Sequence, residues 1–188
     1  MDKKTGEAFF AIEIDSIEML SEAIEAGADM KSFNRYGKTM LVAAIEKYAP
    51  EFDGIPPMIM DDCIKEWDFL PVNEKFPIKA IRLLLEKGAD VNQKNWLSGE
   101  TALYKAVKNN AEELIKLLID RGADVNSKDF WGRTVLDYCI YVDNVNVAGI
   151  LLNNGAYIDK NSDYYWQQSF SKRMKSLVDE LGRGIVKN

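Results

Sequence analysis

"EELIKLLIDRGADVNSKDFWGRTVL", residues 112–136, is the stretch that decides the fold of this 188-residue chain. Its first part places apolar residues at helical spacing along one wide face. Gly122 follows this face and can adopt the left-handed conformation that ends a helix. A polar turn then leads through a second glycine, Gly132, to Thr134, which is a good N-cap for another helix. The stretch therefore predicts a helix, a turn and a second helix.

The same pattern recurs along the chain. Related segments start at Gly27, Gly88, Gly122 and Gly155, at spacings of 61, 34 and 33 residues. The long step is one period plus an insertion of about 28 residues, and a fixed period of this length is the signature of a repeat architecture. Equivalent positions share their chemistry: the second glycine (Gly37, Gly99, Gly132), the N-cap threonine (Thr39, Thr101, Thr134) and a small residue (Ala44, Ala106, Cys139).

These residues resemble the ankyrin repeat family. The resemblance is carried by the Gly-Ala-Asp triplets, the Gly-x-Thr-x-Leu motifs and the Leu-Leu pairs over roughly residues 5–160. It implies an all-α fold, an ankyrin-repeat solenoid of helix-turn-helix units with short hairpin-like turns, capped at both ends. We expect one domain over residues 1–188, divided into an N-terminal capping repeat (1–26), repeats 27–87, 88–121 and 122–154, and a C-terminal cap (155–188).

The chain departs from the family at one conserved feature of each unit. The family usually has Pro after the Thr and His two residues further on, whereas this chain has no histidine at all. The His places hold Val42, Tyr104 and Asp137. Of these, Asp137 can replace the missing hydrogen bond by accepting from Thr134.

The insertion, residues 49–76, separates the two helices of the repeat 27–87. It carries two lysines against seven acidic residues, a net charge of -5, together with apolar residues that include Trp67. Two interpretations stay open. The segment is either an elaborated loop that covers the flank of the repeats, or an arm that docks onto a basic partner surface.

Composition limits the possible functions. A net charge of -6 argues against nucleic acid as a partner and favours a basic protein partner. Without histidine there is no Ser-His or Cys-His couple, and two isolated cysteines give no cysteine-rich metal site. We therefore expect no enzyme activity, no metal and no cofactor. The absence of a signal peptide or a long apolar run predicts a cytoplasmic protein outside the membrane.

In the ankyrin architecture the turns project as fingers, and family members generally bind protein partners through these fingers and the exposed side of the inner helices. Carried over by register, each clear finger of this chain holds an aromatic residue. Trp, Tyr and Arg are also enriched in binding hot spots. The predicted partner-binding residues are Phe33, Arg35, Tyr36, Lys38, Trp96, Leu97, Glu100, Lys108, Lys128, Phe130, Trp131, Arg133, Tyr141, Tyr164, Trp166 and, in the insertion, Trp67; Asn95 is placed in the second finger beside Trp96.

The aromatic fingers have two explanations, which are compatible. A partner can cover the rings, or the rings can stack on adjacent fingers and stiffen the row. The sequence thus predicts a non-catalytic module that binds a protein partner through its fingers. The alternatives are an inhibitor or immunity-type protein that neutralises a basic toxin or enzyme, and a host-directed effector or regulator.

Overall fold

A computed structural model describes residues 1–47, 76–159, 171–181 and 186–187 of the chain. These residues form two compact units, Met1–Asp90 and Val91–Asn188. The predicted insertion up to residue 75 and the predicted contacts Trp67, Tyr164 and Trp166 lie outside the described residues. The boundaries of the expected single domain stay a prediction.

The first unit contains two antiparallel helix pairs. Its helices are α1 (Lys3–Glu13), α2 (Ile17–Glu25), α3 (Met40–Glu46) and α4 (Phe76–Glu86). The helices α1 and α2 pack together, as do α3 and α4, and the second pair stacks on the first through α1–α3 and α2–α4 contacts. Pro77 is the second residue of α4, in the first turn, where the absence of its N–H costs no intrahelical hydrogen bond.

The second unit repeats this arrangement. Its helices are α5 (Ala102–Lys108), α6 (Glu112–Asp120), α7 (Val135–Tyr141) and α8 (Val145–Asn153), followed by β1 (Ile158–Asp159), α9 (Lys172–Leu181) and β2 (Val186–Lys187). Here α5 packs with α6 and α7 with α8, while α5 stacks on α7. The helix α9 closes the stack by packing on α8; a Cβ atom at Gly149 would lie 3.8 Å from Cδ1 of Leu177, and Met174 is fully buried.

The local signals in the sequence produce these helices. Thr39, Thr101 and Thr134 are the N-caps of α3, α5 and α7, and each hydroxyl accepts a hydrogen bond from the backbone N–H three residues later. Gly122, just after α6, has a φ of 85°. An L-residue with a Cβ atom is strained in this left-handed region, so glycine is the natural terminator there.

Small residues allow the inner helices to approach each other. Ala44, Ala106 and Cys139 are all completely buried, as their shared position in the repeat predicted. Ala8 and Ala11 are likewise buried in α1. Buried leucine and isoleucine side chains from both helices of each pair complete the core, because burial of apolar area is the main driving force for such stacking.

One element was not predicted. The strands β1 and β2 form a two-residue parallel pair, with Ile158 opposite Val186 and Asp159 opposite Lys187. Each strand is too short to show a period-2 pattern, and the pairing joins residues far apart in sequence. The helical class predicted from the repeats is confirmed, with this short pair as an addition.

Candidate functional site

The turn of each finger is built around one side-chain oxygen. We call residues 28–39 finger 1, residues 91–101 finger 2 and residues 125–134 finger 3. In finger 1, Oδ1 of Asn34 accepts hydrogen bonds from the N–H groups of Tyr36 (2.9 Å) and Lys38 (3.1 Å). In finger 3, Oδ1 of Asp129 accepts from the N–H groups of Trp131 and Arg133, both at 2.9 Å. A side-chain oxygen at the equivalent position therefore closes both turns.

Finger 2 uses the same device with one extra residue. Oδ1 of Asn95 accepts from the N–H groups of Ser98 (2.7 Å) and Gly99 (3.2 Å). Asn95 is therefore the counterpart of Asn34 and Asp129, and it is buried rather than available to a partner. The extra residue in finger 2 shifts the register by one position, and this is why Asn95 was placed among the contact residues. Lys94, which is exposed and was not predicted, takes the place equivalent to Lys128.

Fingers 2 and 3 expose a set of large apolar side chains. The predicted residues are displayed to solvent, with exposed fractions of 67% for Trp96, 62% for Leu97, 61% for Phe130 and 62% for Trp131; Tyr141, at the end of α7, is 69% exposed. Exposure of this many large apolar groups within two neighbouring fingers is uncommon on a soluble protein and marks interaction surfaces. Whether a partner covers them stays a prediction.

Phe130 also contacts the neighbouring finger, as the stacking explanation expected. Its N–H donates to the carbonyl oxygen of Ser98 at 2.9 Å. Its ring lies so close to Gly99 that a Cβ atom at that position would be 2.5 Å from Cδ1 of Phe130. The stacking explanation therefore applies to this ring, which contacts finger 2 while 61% of the residue stays exposed.

Arg133 is fixed in place by a buried acid. Oδ2 of Asp129 accepts hydrogen bonds from Nε and Nη2 of Arg133, both at 2.7 Å, and the Asp129 side chain is completely buried. The guanidinium of Arg133 then lies over the ring of Trp131, 4.8 Å from its centroid. A cation over an indole face is an attractive contact that restricts both side chains. Trp131 is thus exposed but held in one orientation.

Finger 1 has its own cation–aromatic cluster. The guanidinium of Arg35 lies 4.7 Å from the centroid of the Tyr36 ring, and Nζ of Lys38 lies 5.7 Å from the same centroid. Phe33, Arg35 and Tyr36 are exposed. The predicted finger 1 residues therefore do come together, around the ring of Tyr36.

Ion pairs link two fingers to the ends of their inner helices, with reversed polarity. In the first unit Nζ of Lys38 is 2.5 Å from Oε2 of Glu46. In the second unit the acid is on the finger: Nζ of Lys108 is 3.5 Å from Oε1 of Glu100, whose side chain is only 12% exposed. Glu100 therefore lies mostly beneath the surface, and its predicted role as a contact residue is weaker than that of its aromatic neighbours.

The titratable groups near the fingers are arranged for packing. Burial raises the pKa of Tyr104 well above its ordinary value, and the charge of Asp129 adds to this effect. Burial likewise raises the pKa of Cys139 to about 12, so the thiol stays protonated. No group of His, Cys, Asp or Glu side chains among the described residues could hold a metal ion.

Asp137 replaces the missing histidine bond, as the sequence predicted. Its Oδ2 accepts hydrogen bonds from N (2.8 Å) and Oγ1 (2.9 Å) of Thr134, while the N–H of Asp137 donates to Oγ1 at 3.1 Å. This reciprocal arrangement is a capping box, and it ties finger 3 to the start of α7.

Comparison with known proteins agrees with this architecture. Residues 72–162 match the family model described as three copies of ankyrin repeats. These residues are ankyrin repeats. An ankyrin repeat protein of Fowlpox virus (strain NVSL), FPV034, is 28% identical over 102 residues, which is 54% of this chain and 24% of that protein. The chain thus spans about a quarter of the length of this curated relative.

The repeats indicate a general class of role. Ankyrin repeats are generally protein–protein interaction modules and typically lack catalytic activity. In this ankyrin-repeat chain the projecting turns are the fingers described above. Within the ranges that the structure covers, no helix has the length and apolar character needed to span a membrane.

Proposed function

We propose that this ankyrin-repeat protein is a non-catalytic module that binds a protein partner through fingers 2 and 3. One observation carries the proposal: Trp96, Leu97, Phe130 and Trp131 are each more than half exposed on two adjacent turns. Leaving such residues in water forgoes the stabilisation of about 1.5–3 kcal/mol that burial of a large apolar side chain provides. A partner that covers them recovers this energy.

The fingers are also preorganised for binding. The Asp129–Arg133 pair holds Trp131, and the Phe130 ring rests on Gly99. Rigid side chains lose little conformational entropy when a partner binds, so more of the contact energy appears as affinity. Asp129 is buried and Glu100 and Arg133 are half-buried, whereas Lys94 is exposed. Charged side chains are depleted at the core of typical interfaces and more frequent at the rim.

The test compares substitutions of exposed aromatic residues in the fingers with a substitution of an exposed aromatic residue outside them. The protein is immobilised and used to capture partners from an extract of its source organism, with mass spectrometry as readout. The double variant Trp96→Ala/Trp131→Ala removes the proposed surface. Phe10→Ala is the matched control, since Phe10 is 50% exposed on α1 and lies outside the fingers.

We expect a captured protein that is lost with the double variant and retained with Phe10→Ala. With the purified partner, titration calorimetry should then show at least a hundredfold loss of affinity for the double variant, since two hot-spot aromatics each contribute about 2 kcal/mol or more. Equal affinity for the wild type and the folded double variant would refute the proposal. A single stoichiometric partner whose activity is blocked would favour the inhibitor alternative, whereas several partners would favour a scaffold.

A further inference from the structure

The local charge of finger 1 is opposite to that of the whole chain. Residues 28–39 contain three basic residues, Lys31, Arg35 and Lys38, against one acidic residue, Asp29, a local net charge of +2, whereas the net charge of the protein is -6. Lys38 is paired with Glu46, and Lys31 and Arg35 are exposed. A contact surface selects its partner by its own charges, because the field of distant charges is screened within about 10 Å at physiological salt.

Arg35 and Arg133, the arginine of finger 3, bind different groups. The guanidinium of Arg133 is occupied by the buried carboxylate of Asp129. The guanidinium of Arg35 only stacks on Tyr36, and within the described part of the chain its N–H groups make no hydrogen bond or ion pair. The N–H donors of Arg35 therefore face solvent while its guanidinium stacks on the Tyr36 ring, next to the exposed ring of Phe33.

We propose that finger 1 binds an acidic segment of the partner protein, with the Arg35 guanidinium pairing with an Asp or Glu carboxylate. The planar guanidinium matches a carboxylate with two parallel N–H···O bonds, which a lysine cannot form. Tyr36 orients the guanidinium and, with Phe33, supplies apolar contact to the residues beside the acid. This inference rests on the proposed protein-binding function, and it specifies the chemistry of the segment that finger 1 recognises.

The experiment selects binders without knowing the partner. A random dodecapeptide phage library is panned on the full-length protein, and recovered peptides are synthesised with a fluorescent label for anisotropy titrations. The test variants are Arg35→Gln and Arg35→Lys. The matched control is Arg82→Gln, which removes the same charge from an exposed position on α4 of the same unit. A labelled single-stranded dodecanucleotide is titrated in parallel.

We expect recovered peptides to be at least twofold enriched in Asp and Glu over the starting library. Their affinity should fall about tenfold with Arg35→Gln, fall less with Arg35→Lys, and change less than twofold with Arg82→Gln. Circular dichroism confirms that each variant is folded.

Four results of the peptide experiment would overturn the inference: recovery of no peptide, enrichment in Lys and Arg, equal losses with Arg35→Gln and Arg82→Gln, or tighter binding of the oligonucleotide than of the acidic peptides. The proposed function fails separately, because its test depends on Trp96 and Trp131. A captured partner that needs these tryptophans but is indifferent to Arg35 would refute the finger 1 inference alone.

Discussion

Replacing Gly99 with alanine should destabilise the protein more than the same change at Gly132. Both residues have a positive φ, 72° and 79°, so an added Cβ strains both backbones alike by about 1–2 kcal/mol. Only at Gly99 does the new Cβ meet a neighbour, 2.5 Å from Cδ1 and 2.8 Å from Cγ of Phe130, whereas nothing lies within 4 Å at Gly132. The difference between the two variants therefore isolates the contact between fingers 2 and 3.

The difference in unfolding free energy between the two glycine variants depends on how easily the Phe130 ring can move away from the new Cβ atom. The Phe130 backbone is tied to Ser98 by a 2.9 Å hydrogen bond, but the ring is 61% exposed and can rotate away. Overpacking costs about 1–3 kcal/mol, and a ring with this freedom belongs at the lower end. We expect Gly99→Ala to lower the free energy of unfolding by about 1 kcal/mol more than Gly132→Ala.

Urea unfolding followed by circular dichroism measures both variants, each with and without Phe130→Ala. In the Phe130→Ala background the cost of Gly99→Ala should fall to that of Gly132→Ala, because the clashing ring is gone. This double-mutant cycle gives the coupling between Gly99 and Phe130 directly. Equal costs for the two glycine variants while Phe130 is present, or no relief when it is removed, would refute the stacked arrangement of these fingers.

Three further predictions follow from local geometry. Thr134→Ala should lower the free energy of unfolding by about 2 kcal/mol and Thr101→Ala by about 1 kcal/mol, since only the former breaks a capping box; urea unfolding that ranks them equally would contradict this. Because burial raises the pKa of Cys139 to about 12, its thiol should resist Ellman's reagent at pH 8 in a Cys63→Ser background and react once urea unfolds the protein; rapid labelling of the native protein would count against burial. Asn126→Ala should increase hydrogen exchange of the Tyr157 backbone amide, because the bond from this amide to Oδ1 of Asn126 and the bond from Nδ2 of Asn126 to the carbonyl oxygen of Gly155 are both lost. Unchanged protection of the Tyr157 amide would exclude this contribution.

Features set by neighbouring residues could be read from the sequence. A threonine two residues after a glycine predicted three N-caps, and a small residue at a fixed place predicted the close contacts of the inner helices. The substitution of Asp137 for the family histidine was also foreseeable, because a carboxylate three residues after an N-cap threonine is within reach of its hydroxyl and N–H groups.

Features set by contacts between repeats were harder to foresee. The contact of Phe130 with Gly99 joins residues 31 positions apart in the chain, and no local pattern encodes which face of the ring is covered. Asn95 was assigned to the contact residues because an extra residue obscures the register, and only its hydrogen bonds to Ser98 and Gly99 show that it builds the turn. That Arg35 has no acidic partner among the described residues likewise depends on where acidic groups lie in space.

The single oxygen at the base of each finger has a practical consequence for engineering. Asn34 and Asp129 each fold a turn with the same two bonds, and Asn95 does so around a longer loop. Apart from Ser98, whose hydroxyl donates to Oδ1 of Asn95 at 2.9 Å and therefore belongs to the closing residues, no residue between this oxygen and the following glycine closes its loop through a side chain. A combinatorial library that randomises those positions and keeps the closing residues should therefore yield mostly folded clones, so this scaffold can accept new specificities at its tips while its framework stays intact.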